Sequence, residues 1–374
     1  MSVFVATHNI ISALGFTSEE NGEQVFAGKS GISLVADTAL SPVEFPAALI
    51  DKSRLEKEYN EIASSDEELS HFDQIIRLSA YQALKGSGID ASSRKTIIIL
   101  STTKGNIGEL VKGKTAEQVQ LWQSAQRLAQ FLNNPNEPIV ISNACISGVA
   151  AIVMGKRLID SGKYDHAIVV GADLLSRFVV SGFQSFHSLS AQPCRPFDKN
   201  RDGLSLGEGA ATVVLTCEPK AEYALEIVNG ATSNDANHIS GPSRTGEGLL
   251  IAINKTLGED REVDFISAHG TATPYNDDME SKAISRAGLS QVPVNSMKGY
   301  FGHTLGAAGV IESIICMMSL TENKLVKTLG YSEFGVAEEI TITTESKDQN
   351  MNKVLKVASG FGGCNAALVI EKHG

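Results

Sequence analysis

An α/β fold with sheets buried on both faces follows from three features of this sequence. Short β-branched runs alternate with helical patterns along the chain, the apolar runs are mostly continuous, and 34 glycines against 10 prolines suit tight turns between close-packed layers. The expected strands are 96–101, 138–142, 166–171 and 211–216, then 224–228, 263–268, 340–344, 354–359 and 366–371. Helical patterns lie between them at 72–85, 116–132, 146–160, 248–257, 278–287 and 304–320. Both halves contain a strand, a small-residue turn and an apolar helix rich in Gly and Ala, one through Cys145 and one through His303 into Gly306–Val310. A pseudo-duplicated architecture is therefore expected, with halves 1–220 and 221–374 meeting near Glu218-Pro219-Lys220. The charged stretch 51–68 reads as an exposed helix or loop and 345–352 as a surface turn.

The 374 residues suffice for a large core, and a 20% charged fraction suits a globular chain. A net charge of −11 argues against general nucleic-acid binding. The cysteines (Cys145, Cys194, Cys217, Cys316 and Cys364) are odd in number and scattered, without a C-x-x-C pair. That disfavours a disulfide framework or a structural zinc site and fits a reducing cytoplasm. The start, Met1-Ser2-Val3-Phe4-Val5, lacks the basic and apolar regions of a signal peptide. The longest uncharged stretch, 138–155, is shorter than the roughly 20 apolar residues of a membrane span. A cytoplasmic, unanchored protein is expected.

Three segments carry residues with chemistry. Cys145 sits where the run Pro138–Ser142 gives way to a helix of small residues. A helix start there would aim backbone N–H groups and a positive dipole at the sulfur and lower its pKa. Taken alone, a cysteine among Ile, Val and Ala is usually an inert core residue. His269 ends the strand Val263–Ala268, at the edge where α/β sheets place ligands, or is a satisfied core histidine. His303 opens a helix, where the dipole favours the neutral ring, or is a capping residue. The glycines from Gly302 to Gly309 are spaced G-x-x-x-G-x-x-G, which is not a dinucleotide fingerprint. The glycines of Ser359-Gly360-Phe361-Gly362-Gly363-Cys364 allow backbone to approach a ligand, or form a plain hairpin loop.

Taken together, these segments resemble the β-ketoacyl-acyl-carrier-protein synthases of the thiolase superfamily. The resemblance runs nearly end to end: Phe26-Ala27-Gly28-Lys29-Ser30-Gly31-Ile32, then Arg195-Pro196-Phe197-Asp198 through Gly203, then Gly207-Glu208-Gly209-Ala210. His269-Gly270-Thr271-Ala272-Thr273 with Asn276, Asp277 and Glu280 forms one histidine motif, and Lys298 with Gly302–Gly309 and Glu312 the other. It implies the thiolase fold: two pseudo-duplicated halves in a five-layer αβαβα arrangement, usually a homodimer. It implies that Cys145 is the acyl-carrying nucleophile, with an oxyanion hole from the N–H groups of Cys145 and Phe361, flanked by Gly360 and Gly362. His269 and His303 would stabilise the enolate from decarboxylation of a malonyl thioester through neutral Nε2–H groups, while Lys298 and Glu312 organise the site. Thr271, Thr273, Ile146 and Ser359 are candidate substrate contacts.

The resemblance implies an elongating acyltransferase that joins the acyl group on Cys145 to malonyl-acyl carrier protein, giving a 3-oxoacyl product without metal, nucleotide or redox cofactor. The pathway would be fatty-acid, polyketide or polyene biosynthesis. Acyl carrier protein is the implied partner, with Lys199 and Arg201 as candidate docking residues despite the acidic chain. The sequence departs from the family at His8, Ile146, Ala272, Ser359 and Cys364, which bears on the acyl group accepted. Two other readings are a coenzyme A thiolase, disfavoured because Cys364 follows the last glycine pair, and a member of a heterodimer with a chain-length subunit. A non-catalytic chain-length subunit would lack the cysteine.

Overall fold

The computed structural model describes residues 1–63, 69–218 and 225–373. Ten strands build the main sheet: β1 (Phe4–Ser12), β2 (Thr96–Ser101), β3 (Ile139–Ile141), β4 (His166–Asp173), β5 (Gly209–Thr216), β6 (Leu225–Asn234), β7 (Phe265–Ser267), β8 (Val294–Asn295), β9 (Lys353–Gly360) and β10 (Cys364–Lys372). Its helices are α1 (Ser18–Phe26), α2 (Lys52–Ile62), α3 (His71–Leu84), α4 (Leu121–Phe131), α5 (Ser147–Asp160), α6 (Arg177–Ser185), α7 (Glu247–Leu257), α8 (Pro274–Arg286), α9 (Lys298–Phe301) and α10 (Ala308–Glu322).

The duplication is visible as topology. The first half orders its strands β3-β2-β4-β5-β1 and the second β8-β7-β9-β10-β6, the same winding twice. In each, the first three strands run parallel and the last two pair antiparallel. Within the sheet, among the described residues, the halves meet at one antiparallel pair, Phe4 with Glu226.

Pleating makes the five layers. In β2, Ile97 and Ile99 face α5 and α10, while Ile98 and Leu100 face α3 and α4. In β10, Leu368 and Ile370 face the same central helices, while Ala367 and Val369 face α7 and α8. Both strands are thus apolar on both faces, as their continuous runs predict. The stretch Leu305–Glu322 is long and apolar enough to cross a membrane, but it is mostly buried as the central helix of this core.

The central helices touch through backbone. A Cβ on Gly309 would lie 2.3 Å from the Val149 nitrogen, and one on Gly148 would lie 2.7 Å from the Val310 nitrogen. Gly309→Ala is therefore expected to destabilise the protein by about 1–3 kcal/mol, measured as a lower urea midpoint, because overpacking outweighs the roughly 1 kcal/mol gain in helix propensity. A raised midpoint would show that the helices part cheaply.

Several expectations are corrected. Residues 340–344 form no strand: Ile342 makes only an isolated bridge to Val294, and β8 is too short to template more. The helix expected from 116 begins at Leu121, and the one expected from 278 begins at Pro274, whose fixed φ suits a first turn. The expected turn 345–352 includes a two-residue strand, Lys347–Asp348, paired with Lys324–Leu325. The charged stretch is helical over Lys52–Ile62; its remainder at 64–68, residue 224 of one expected strand, and Pro219-Lys220 at the expected junction lie outside the described residues.

Candidate active site

Cys145 and His269 follow the carboxyl ends of β3 and β7, His303 follows the short helix α9, and each has a non-glycine residue with left-handed backbone within three positions. Ala144 before Cys145 has φ +45°, Ala272 after His269 has φ +64°, and Leu305 after His303 has φ +52°. Such backbone costs a non-glycine residue on the order of 1 kcal/mol, and here the surrounding bonds hold it in place. Ser147 closes the first turn, accepting from the Asn143 N–H at 2.8 Å and donating to the Ala144 carbonyl at 2.6 Å. Glu280 accepts from the N–H groups of His269 (2.7 Å) and Gly270 (2.6 Å). Asp277 accepts from Thr271 (3.0 Å) and Ala272 (3.1 Å), and so holds the strained Ala272 in place. The His303 N–H donates to the Ser205 carbonyl at 2.7 Å, while Gly306 donates to Asp173 of β4 at 2.7 Å.

The two halves thereby converge. Sγ of Cys145 and ring nitrogens of His269 and His303 all lie within 4.8 Å of one another, and the histidine rings stand 5.0 Å apart at 83°. Their tautomers follow from their partners. The Leu305 N–H donates to His303 Nδ1 at 3.3 Å, so the ring proton sits on Nε2. Lys298 Nζ lies 3.5 Å from His269 Nδ1, which assigns that proton to Nε2 as well. His303 Nε2 is buried without a hydrogen-bond partner. Burial first, then the Lys298 ammonium, pushes both rings well below the usual histidine range, so they stay neutral.

Behind the histidines, Lys298 bonds Glu312 Oε1, and Lys356 Nζ lies 2.7 Å from Glu312 Oε2, off the hydrogen-bonding axis. Burial alone would raise the Glu312 carboxyl; the Lys298 and Lys356 ammonium groups outweigh it and hold the group below its ordinary value.

The thiol departs from expectation. Although α5 starts at Ser147 with no side-chain cap, burial and then Cys364 push the Cys145 thiol from 9.0 up to about 12, against the lowering by Lys298 and the Phe361 N–H. That rise costs about 4 kcal/mol, more than the roughly 2 kcal/mol a favourable helix dipole supplies. Cys145 therefore rests as a thiol. Its alkylation by iodoacetamide, followed at the peptide by mass, is expected to climb about tenfold per pH unit from 7 to 10 without levelling. A plateau near pH 8 would show a pre-formed thiolate instead.

A cavity of about 410 Å³ opens over the trio, with Thr271, Thr273, Ser359, Gly360 and Gly362 in its wall. Phe361 closes it, stacked on Phe183 at 5.9 Å and edge-on to Phe186 at 5.5 Å. A Cβ on Gly360 would lie 3.0 Å from the Cys145 nitrogen, so glycine lets this loop reach the nucleophile's backbone. Three of the expected residues are not in the cavity wall: Ile146, Arg201 and Lys199. Ile146 is fully buried in the central core and does not line the cavity. Arg201 has a side chain only 6% exposed, paired with Asp278 at 2.7 Å. Lys199 is exposed but carries its own counter-charge, Glu333, at 2.7 Å. Two buried charged residues beside the site have no local sequence signal: Asp173, an acid ending an apolar strand, and Lys356, a lysine inside Val354-Leu355-Lys356-Val357-Ala358.

A buried thiol facing two neutral N–H donors at the junction of a duplicated α/β fold defines a thiolase-fold condensing acyltransferase. The beta-ketoacyl synthase N-terminal domain matches residues 2–221 and the C-terminal domain residues 224–332. The 3-oxoacyl-[acyl-carrier-protein] synthase 2 of Vibrio cholerae is 30% identical across 99% of both chains. The ishigamide ketosynthase/chain length factor superposes with a TM-score of 0.86 at 26% identity, covering 100% of this chain and 99% of that one. A ketosynthase solved in complex with its chain length factor from Xenorhabdus doucetiae gives 0.85 at 26% identity, covering 100% and 98%. The chain belongs to the beta-ketoacyl synthase family.

Proposed function

We propose that this protein is an elongating 3-oxoacyl-acyl-carrier-protein synthase in which Cys145, His269 and His303 act as a unit. The observation that carries the reading is the buried, unpartnered Nε2–H of His303 beside His269 and Cys145. In the first half-reaction, Sγ attacks the acyl thioester carbonyl, the carrier's sulfur leaves, and the thiol proton departs with it. The N–H groups of Cys145 and Phe361 receive the oxyanion. In the second, the carboxylate–carbon bond of the malonyl thioester breaks, carbon dioxide leaves, and its electron pair forms an enolate. The two Nε2–H groups hold the enolate oxygen. The enolate carbon attacks the acyl-cysteine carbonyl, and the Cys145 sulfur leaves and regains a proton.

Donors that are neutral and already aimed need no reorganisation as charge builds on that oxygen, which is why depressed histidine pKa values serve this step. Lys298 and Glu312 orient the histidines from behind, Thr271, Thr273 and Ser359 contact substrate, and Gly360 and Gly362 let the Phe361 gate swing. The halves divide as 1–220 and 221–374. The carrier protein delivers both groups at the cavity mouth in the cytoplasm, where Asp202, Asp235 and His238 stand.

Self-association as a dimer is supported by the half-buried edge strand β3 and by Trp122 and Phe178, which are 49% and 62% exposed. Two relatives solved as ketosynthase with chain length factor favour a second form of the reading, a heterodimer in which this chain is the catalytic half. The test supplies acyl- and malonyl-acyl carrier protein and follows labelled carbon dioxide with the 3-oxoacyl product by mass. Condensation by the purified chain alone supports the homodimer, and condensation only after adding a chain-length partner supports the heterodimer. Acyl transfer without carbon dioxide release would refute the elongating role.

A further inference from the structure

Lys356 is a lysine with no solvent exposure in the middle of a core strand, an arrangement that persists only where the charge is fully engaged. Its Nζ donates to the carbonyls of Ser267 (3.2 Å), Ala268 (3.1 Å) and Val357 (2.9 Å), and lies 2.7 Å from Glu312 Oε2. Two consequences follow. Ser267 and Ala268 are the last two residues before His269, so Lys356 fastens the strand end that carries the first histidine. Glu312 is shared between two ammonium groups, so the buried cluster Lys298–Glu312–Lys356 holds one net positive charge directly behind the histidine pair. A single Lys298–Glu312 pair would be neutral.

We propose that Lys356 is a positioning residue of the condensation, which seats His269 and supplies the net positive field under which the two imidazoles act as neutral donors. This role rests on the functional reading above. Lys356 faces the cavity through other groups and touches no substrate. A positive field opposes protonation of a ring and favours negative charge on an oxygen bound at Nε2, so one charge serves both requirements.

The groups packed around the histidines are Lys298 from α9, Glu312 and Cys316 from α10, Asp277 and Glu280 from α8, and Cys145 ahead of α5. Glu280, which burial pushes up to about 7, also has its pKa lowered by Lys356. Loss of Lys356 therefore moves the titration of both histidines and of Glu280 in the same direction, towards higher pH.

The experiment measures labelled carbon dioxide release from malonyl-acyl carrier protein against pH, with acylation of Cys145 followed separately by mass. In Lys356→Met, kcat for release is expected to fall about 10- to 100-fold with KM changed less than about threefold. The acid limb of the profile is expected to move up by about one pH unit while Cys145 still acylates. Lys356→Met combined with Glu312→Gln restores the net charge of the wild type, and its acid limb is expected to return towards the wild-type position. A wild-type acid limb in Lys356→Met overturns the proposal. So does a double variant whose acid limb stays about one pH unit above the wild-type position, a comparison with wild type that decides the matter even if Lys356→Met alone does not fold. Wild-type protein that acylates Cys145 but releases no carbon dioxide overturns the functional reading itself, and this role with it.

Discussion

Cys145→Ala is expected to take up no acyl group and to lose condensation by at least about 10⁴-fold, because the reaction has no other covalent carrier. Cys364 is the nearest alternative thiol, but its proton is committed to the Phe361 carbonyl at 3.3 Å and burial pushes it up to about 11. Intact-mass measurement after incubation with acyl-acyl carrier protein checks the first half: wild type gains one acyl group and the variant none. Malonyl decarboxylation separates the halves, since its electrostatic stabilisation comes from His269 and His303. The variant is expected to keep releasing carbon dioxide without forming product. Undiminished product yield would remove Cys145 from the mechanism, and acylation at Cys364 would reassign the nucleophile.

The legible part of this fold is the part dictated by burial on both faces. Strands such as Thr96–Ser101 and Gly209–Thr216 are buried throughout and carry nearly continuous apolar runs, a pattern visible in the sequence itself. In β1, by contrast, Thr7, His8 and Asn9 interrupt the apolar run and weaken the local strand signal. Those polar groups are satisfied only in three dimensions, Thr7 by the Ala83 carbonyl at 2.5 Å and Asn9 by Gln82 at 2.8 Å. The site divides likewise. Cys145 and His269 stand just past strand ends and His303 just past α9, each flanked by small residues, a local signal. Lys356 and Asp173 act through contacts 44 and 133 residues away in sequence, to Glu312 and Gly306, which no local pattern announces. The helix start after Cys145 pointed to an acidic thiol, but the energetic comparison needed the burial of the sulfur, a tertiary quantity.

His303→Ala is expected to lower malonyl decarboxylation and condensation by about 10²- to 10³-fold while leaving acylation of Cys145 near wild type, since it removes one of two oxyanion donors. The geometry makes a sharper demand through His303→Asn. An asparagine amide retains an N–H donor but is shorter than imidazole and lacks the Nδ1 acceptor that fixes the ring against the Leu305 N–H at 3.3 Å. Its donor would neither reach as far nor be held in one orientation, so only partial recovery over alanine is expected. The pH profile tests the same point from the other side. Burial, then Lys298, holds His303 well below the ordinary histidine value, so wild-type decarboxylation is not expected to fall near pH 6.5 through protonation of this ring. If the wild type lost activity at that pH and His303→Asn did not, His303 would be titrating as a base. The donor assignment from the buried, unpartnered Nε2–H would then be wrong.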